Sequence, residues 1–236
     1  MSEDFSVVLE KTIGKDYEAF DEEYLYDLKK KYYPKLADEE NISTATVPVY
    51  TGGFGHKPTY YKNGSREEVY FIGNKTGYTS LFKVNLKNKS KVITIIEGEK
   101  SEDFEEFHYF RTGIDISSKG ILAFSTKSGA ADALHLYDVK TEKLITSYHF
   151  DNIVHIGAPA FTSGGDKIIF SALDMGGKSD LYIFDILVGS LNRLTNDYYD
   201  DRDPDISPDG KTIVFSSDRT SYGWNNRYNL FLYDIG

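Results

Sequence analysis

The densest chemistry in the sequence is an acidic stretch, NDYYDDRDPDISPD, that places Asp197, Asp200, Asp201, Arg202, Asp203, Asp205 and Asp209 close together. Hard oxygen ligands at this density suit calcium, and calcium at Asp200–Asp205 is the one ion the cluster suggests; no other cofactor is expected. The Asp-x-Asp-x-Asn-Gly loop with a terminal bidentate Glu is missing, however. The competing reading makes Asp201 and Asp209 turn and hydrogen-bonding residues, with the other carboxylates solvated or paired to Arg202. A second stretch, EDFEEFHYFR from Glu102 to Arg111, mixes acids and aromatics as recognition loops do. Phe107, His108, Tyr109 and Arg111 are its candidate binding residues, joined by Asp200, Asp201, Arg202, Asp203 and by Trp224 in SYGWNNRYN. The same residues could equally pack a loop across an edge. His56, His108, His135, His149 and His155 fit no His-Glu-x-x-His helix, no Gly-x-Ser-x-Gly elbow occurs, and there is no cysteine. No catalytic set and no metal-ligating set emerges.

Composition narrows the field. A net charge of -10 removes the basic stripe that nucleic acid needs. The absence of cysteine rules out a disulfide framework and suits cytoplasm and envelope alike. No apolar run reaches the roughly 20 residues of a membrane span, and the start, Met-Ser-Glu-Asp, is unlike a signal peptide. With 19 Tyr and 15 Phe among 236 residues, the aromatic content leans towards sheet.

The elements that must hold these residues fall into two parts. Phe5, Val8, Leu9 and Ile13 share one helical face; after Gly14, Tyr17, Phe20, Tyr24, Leu25 and Leu28 share another, and Pro34 is expected to stop the helix. Residues 37–57 read as a linker, or, through Thr44–Thr51, as a strand able to close a ring. Beyond it the chain repeats. EVYFIG, ILAFS, KIIFS and TIVFS carry Phe71, Phe124, Phe170 and Phe215, about 45 to 53 residues apart. Each is followed in register by SLFKVNL, ALHLYDV, DLYIFDI or NLFLYDI, aligning Leu81, Leu134, Leu181 and Leu230. Third strands follow in KVITII, KLITSYHF and SLNRLT, and the first pair is joined by KNGS, SSKG, SGGD and SPDG turns. A small meander cannot cover both its faces, so such units stack around an axis. The prediction is an all-β, partial β-propeller of about four blades, at 58–100, 112–150, 158–195 and 203–236, behind a helical segment, 1–36.

DRDPDISPDGKTIVFSSDR, from Asp201 to Arg219, resembles the TolB-like (WD40-like) propeller repeat, matching at Asp201, Pro204, Ile206, Ser207, Pro208, Asp209, Gly210, Ile213, Phe215 and Ser216. The preceding blade keeps Pro159, Phe161, Ser163, Phe170 and Ser171, and the likeness extends over Pro58–Gly236, weakening towards the N-terminus. The helices and the blade joint also resemble large bacterial envelope proteins in which a gluzincin-like peptidase domain precedes such a propeller. That resemblance implies that residues 1–36 end an upstream domain and that Gly236 falls inside an incomplete blade.

Three functions compete. The resemblance implies a non-catalytic protein- or peptide-binding scaffold of the periplasm or envelope, with a net acidic field that suits cationic partners. The second is an accessory, substrate-gating propeller of a peptidase or hydrolase whose catalytic domain lies outside this chain. The third is a closed, lectin-like four-blade ring with Thr44–Thr51 in a sheet.

Overall fold

The computed structural model describes residues 5–37, 39, 45–75, 77–219 and 228–235, in two units, Met1–Pro48 and Val49–Gly236. The first holds helices α1 (Phe5–Ile13) and α2 (Tyr17–Leu36). Gly14, at φ +72°, breaks the chain between them, and the Asp16 side chain caps α2 by accepting from the Ala19 N–H at 2.8 Å. The helix does not stop at Pro34 as expected. Only two residues remain to be wound after the ring removes one N–H, so the last turn survives to Leu36.

The second unit is built of four antiparallel sheets arranged as blades. The first runs β1 (Phe54–Asn63), β2 (Arg66–Asn74), β3 (Thr79–Asn85), β4 (Asn88–Glu97), and the second β5 (Ile114–Ile116), β6 (Ile121–Ser128), β7 (Ala131–Asp138), β8 (Lys143–Tyr148). In the third, β9 (Ile153–Ile156) and β10 (Ala160–Phe161) both pair with β11 (Lys167–Asp174), followed by β12 (Ser179–Asp185) and β13 (Ser190–Arg193). The fourth is β14 (Asp201–Ile206), β15 (Thr212–Ser217), β16 (Asn229–Asp234). The turns into β2, β6, β11 and β15 place Gly64, Gly120, Gly165 and Gly210 at φ between +58° and +85°. At Gly120, φ +85°, a Cβ would also lie 2.6 Å from the Tyr61 hydroxyl, so any other residue there would be strained and would displace that side chain.

Period-two alternation gives each blade two apolar faces, and neighbouring blades bury them together. Leu81 and Phe124 share a cluster between the first two blades, Leu134 and Phe170 between the second and third, Leu181 and Phe215 between the third and fourth. The aligned Leu230 is 76% exposed. Among the described residues no blade stacks on its side. At the other end, residues 46–51 form no strand. Tyr50 instead packs its ring on Phe71 and Phe82, with centroids at 5.0 and 6.4 Å, on the outer face of the first blade. Of the expected closing strand Thr44–Thr51, residues 46–51 thus carry no ladder, and Thr44 lies outside the described residues. Aromatic packing on the sheet face satisfies this segment where a ladder was anticipated.

Inner strands share a device that positions the site. Register slips between His56 and Thr59 in β1 and between Arg202 and Asp205 in β14, and residues 157–159 separate β9 from β10. A proline, Pro58, Pro159 or Pro204, sits at each break. Lys57 and Asp203, immediately before two of them, take φ +50° and +47°, a left-handed conformation costing on the order of 1 kcal/mol or more for a residue with a Cβ. These breaks also start the strands before the proline: β1 begins at Phe54 and β9 at Ile153, ahead of the positions expected from the repeat motif.

Candidate functional site

A cleft of about 480 Å³ opens where the loop before β5, strand β9, the start of β12 and the residues leading into β14 converge. Its walls carry Arg111, His155, Lys178, Tyr198, Tyr199, Asp200 and Arg202, and a smaller recess of about 80 Å³ continues it past Phe110 and Asp203. Arg111 is held by a tight turn in which its own N–H and that of Thr112 both donate to the His108 carbonyl, at 3.0 and 2.8 Å. The bulged residues Lys57 and Asp203 meet across the inner strands, Nζ to Oδ1 at 3.5 Å.

The charges in this cleft run against the rest of the chain. Arg202 pairs with Asp200 and lies 4.8 Å over the Tyr228 ring, while the Tyr228 hydroxyl donates to Asp200 at 2.7 Å. Burial pushes the Asp200 carboxyl up, but the bonds from Arg202 and Tyr228 outweigh it and hold it below its ordinary range. The Tyr228 phenol, partly buried and facing that carboxylate, is pushed up to about 12. Lys178 sits 4.7 Å over the ring of Tyr198. Among the described residues neither Arg111 nor Lys178 has an ion pair. The cleft therefore presents two unpaired cations beside two nearly bare rings, Phe110 at 85% and Tyr198 at 94% exposure.

Behind the cleft lies a buried polar cluster. Asp132, at the start of β7 and 2% exposed, accepts from His108 Nε2 at 2.8 Å, His155 Nδ1 at 2.7 Å and the Ile156 N–H at 2.9 Å. Burial raises its pKa, yet the three bonds prevail and hold it at about 2. Bonded to that carboxylate, His108 is raised above the ordinary imidazole value despite its partial burial.

No family model matches the sequence. TolB of the Tol-Pal system from Francisella tularensis is 29% identical over 80 residues, which is 34% of this chain and 18% of that protein. The crystal structure of TolB from Acinetobacter baumannii superposes with a TM-score of 0.62 at 19% identity, over 83% of this chain and 45% of that one. The fold is a TolB-like β-propeller. The same fold occurs in a puromycin hydrolase, with a TM-score of 0.54 and 15% identity over 77% of this chain and 27% of that one. This TolB-like chain thus spans less than a fifth of the curated relatives it matches.

Within the propeller the residues singled out from sequence separate. Arg111, Asp200, Arg202 and Asp203 come together in the cleft. Phe107 does not: it is 2% exposed, stacks on Phe124 at 5.9 Å and belongs to the core between the first two blades, so it cannot touch a partner. Asp201 is fully buried and accepts from Arg219 Nη2 at 2.9 and 2.7 Å, which makes it a structural residue. Tyr109 packs against Phe54 and His56, each at 4.8 Å, beside the first blade. His108 faces inwards to Asp132, and Trp224 lies outside the described residues. The carboxylates of Asp200–Asp205, read from sequence as a calcium candidate, each have a neighbouring protein group. Arg202 takes Asp200, Arg219 takes Asp201, Lys57 takes Asp203 and the Ile206 N–H takes Asp205, so protein groups already answer these carboxylates.

Sequence reading missed Asp132, Lys178, Tyr198 and Phe110 as site residues. Asp132 lies one residue before the aligned strand ALHLYDV, where only the pairing of β7 with its neighbours reveals that it faces two histidines.

Proposed function

We propose that this chain is a non-catalytic protein-binding module of the bacterial cell envelope that takes a peptide segment of its partner into the cleft between the inner ends of its second, third and fourth blades. The supporting observation is the pairing of two unneutralised cations, Arg111 and Lys178, with the exposed rings of Phe110 and Tyr198. A peptide with a carboxylate and an adjacent apolar side chain matches that lining, since charge-assisted bonds and aromatic contacts are what interface hot spots use. This reading differs from the expectation of a cationic partner drawn from the whole-chain charge of -10: the cleft is lined by Arg111, Lys178 and Arg202 against Asp200 and Asp203. The likeness to TolB supports the envelope location and the non-catalytic reading.

Selection of a phage-displayed peptide library on the purified chain tests the reading. Acidic-aromatic peptides should enrich, and Arg111→Ala or Tyr198→Ala should each weaken an enriched peptide by about tenfold or more. Enrichment of lysine-rich peptides, or affinities untouched by both substitutions, overturns it. The likeness to a puromycin hydrolase supports the second reading, an accessory propeller of a hydrolase. In that case the cleft would bind the hydrolase's substrates rather than a folded partner's segment.

A further inference from the structure

We propose that His108, Asp132 and His155 form a binding site for a divalent transition metal of the zinc class, spanning the second and third blades. Two imidazoles and one carboxylate are the donor set that such ions take, leaving positions open for water or a ligand. The three residues come from the loop before β5, the start of β7 and β9, so only the assembled blades bring them together. One nitrogen of each ring already faces a different oxygen of the same carboxylate, at 2.8 and 2.7 Å, and all donor atoms lie within 4.8 Å of one another. The rings stand edge to face with centroids 4.7 Å apart.

An ion bound at about 2.0–2.2 Å to nitrogen and oxygen spaces its ligands roughly 3.0–3.4 Å apart. The site must therefore open by a few tenths of an ångström, which His108 and His155 allow, being packed but not enclosed, with 25% and 17% of their side chains exposed. The surroundings supply the orienting contacts that metal ligands need. The Ile156 N–H fixes one oxygen of Asp132 at 2.9 Å. Glu106 Oε1 lies 4.0 Å from His108 Nδ1, so a small movement of this exposed side chain would let it accept a hydrogen bond from Nδ1–H when Nε2 binds the ion. His155 lines the cleft, which gives the ion an entry path. The other cluster of carboxylates, Asp180, Asp197 and Asp201, offers no such vacancy, because Arg193 and Arg219 already lie among them.

Zinc alone is the probe. The full chain, dialysed against a chelator, is titrated with Zn²⁺ by calorimetry and with Co²⁺ by visible absorption. One ion should bind per chain with a dissociation constant of about 10 µM or tighter, His108→Ala and His155→Ala should each weaken it about 30-fold or more, and His149→Ala should leave it unchanged. The cobalt d–d bands should saturate at one equivalent on the unmodified chain, a readout that requires no variant to fold. Zinc binding that survives both histidine substitutions, or native chain that develops no cobalt bands at stoichiometry, overturns the proposal. Neither measurement involves a peptide, so its outcome is separate from that of the peptide selection.

Discussion

Two clusters in the same propeller bury carboxylates at the joints between blades and neutralise them by opposite means. Between the third and fourth blades, Asp201 is answered by Arg219 Nη2, which also reaches Asp197 at 3.1 Å, and Asp180 by Arg193. Between the second and third, Asp132 is answered by His108 and His155. A guanidinium keeps its charge at any pH a protein survives and cannot ligate an ion. An imidazole changes charge near neutrality and binds metals. The arginine joint is thus permanent and the histidine joint conditional, and the conditional one lies against the cleft.

The largest effect should come from the permanent joint. Arg219→Ala strands Asp201 without a counter-ion in a fully buried position, for which a loss of about 3 kcal/mol is expected in urea unfolding. Arg219→Lys keeps the charge but not the Nε bond to the Ser217 hydroxyl at 3.0 Å, and should recover part of it. At the conditional joint Asp132→Ala removes the acceptor from two rings and from the Ile156 N–H, at a cost of about 2 kcal/mol. A cost at Asp132 equal to or above that at Arg219 would erase the distinction between the joints.

pH sharpens it further. A raised pKa means that folded His108 holds its proton more tightly than the unfolded chain does. Its contribution is therefore complete below the ordinary value of 6.5 and drains away as pH climbs through the raised one. Asp132, held at about 2, contributes above its ordinary value near 3.8 and loses that contribution as pH falls from there towards 2. His135, buried and lowered to about 4, acts oppositely to His108: its contribution is lost as pH falls from 6.5 towards 4. Metal-free protein should lose stability between pH 6 and pH 8 through His108, a slope that His108→Gln removes and Arg219→Lys does not. Urea midpoints taken across that range check it.

These joints also mark how far the sequence could be read. The blades were legible because their determinants are local: alternating strands, a glycine turn and an aromatic anchor repeat at fixed spacing, with Phe124, Phe170 and Phe215 buried between blades and Phe71 buried beneath Tyr50 on the outer face of the first. Asp201 with Arg219 was half legible, since both lie in one motif, DRDPDISPDGKTIVFSSDR. The Asp132 cluster was not legible. His108, Asp132 and His155 are drawn from two blades and a connecting loop, and their juxtaposition depends on how far one blade rotates against the next, which no repeat period encodes. Phe107 and Tyr198 show the same limit in reverse: two aromatics on loops of similar composition, one sealed in the core and the other 94% exposed.

The smallest expected effect belongs to a third kind of charge pair, which serves as the baseline for the other two. Lys57 and Asp203 meet at 3.5 Å with 38% and 57% of their side chains exposed, so each charge keeps most of its hydration whether or not the other is present. Lys57→Met should therefore change stability by no more than about 0.5 kcal/mol at low salt and by nothing measurable in 1 M NaCl, where charges are screened over about 3 Å. Because the left-handed backbone at Lys57 and Asp203 is imposed by the breaks beside Pro58 and Pro204 and not by the pair, removing the charge should leave the bulges in place. A loss of 2 kcal/mol on Lys57→Met would mean that the inner strands depend on this contact, and exposed and buried pairs would then no longer differ in kind.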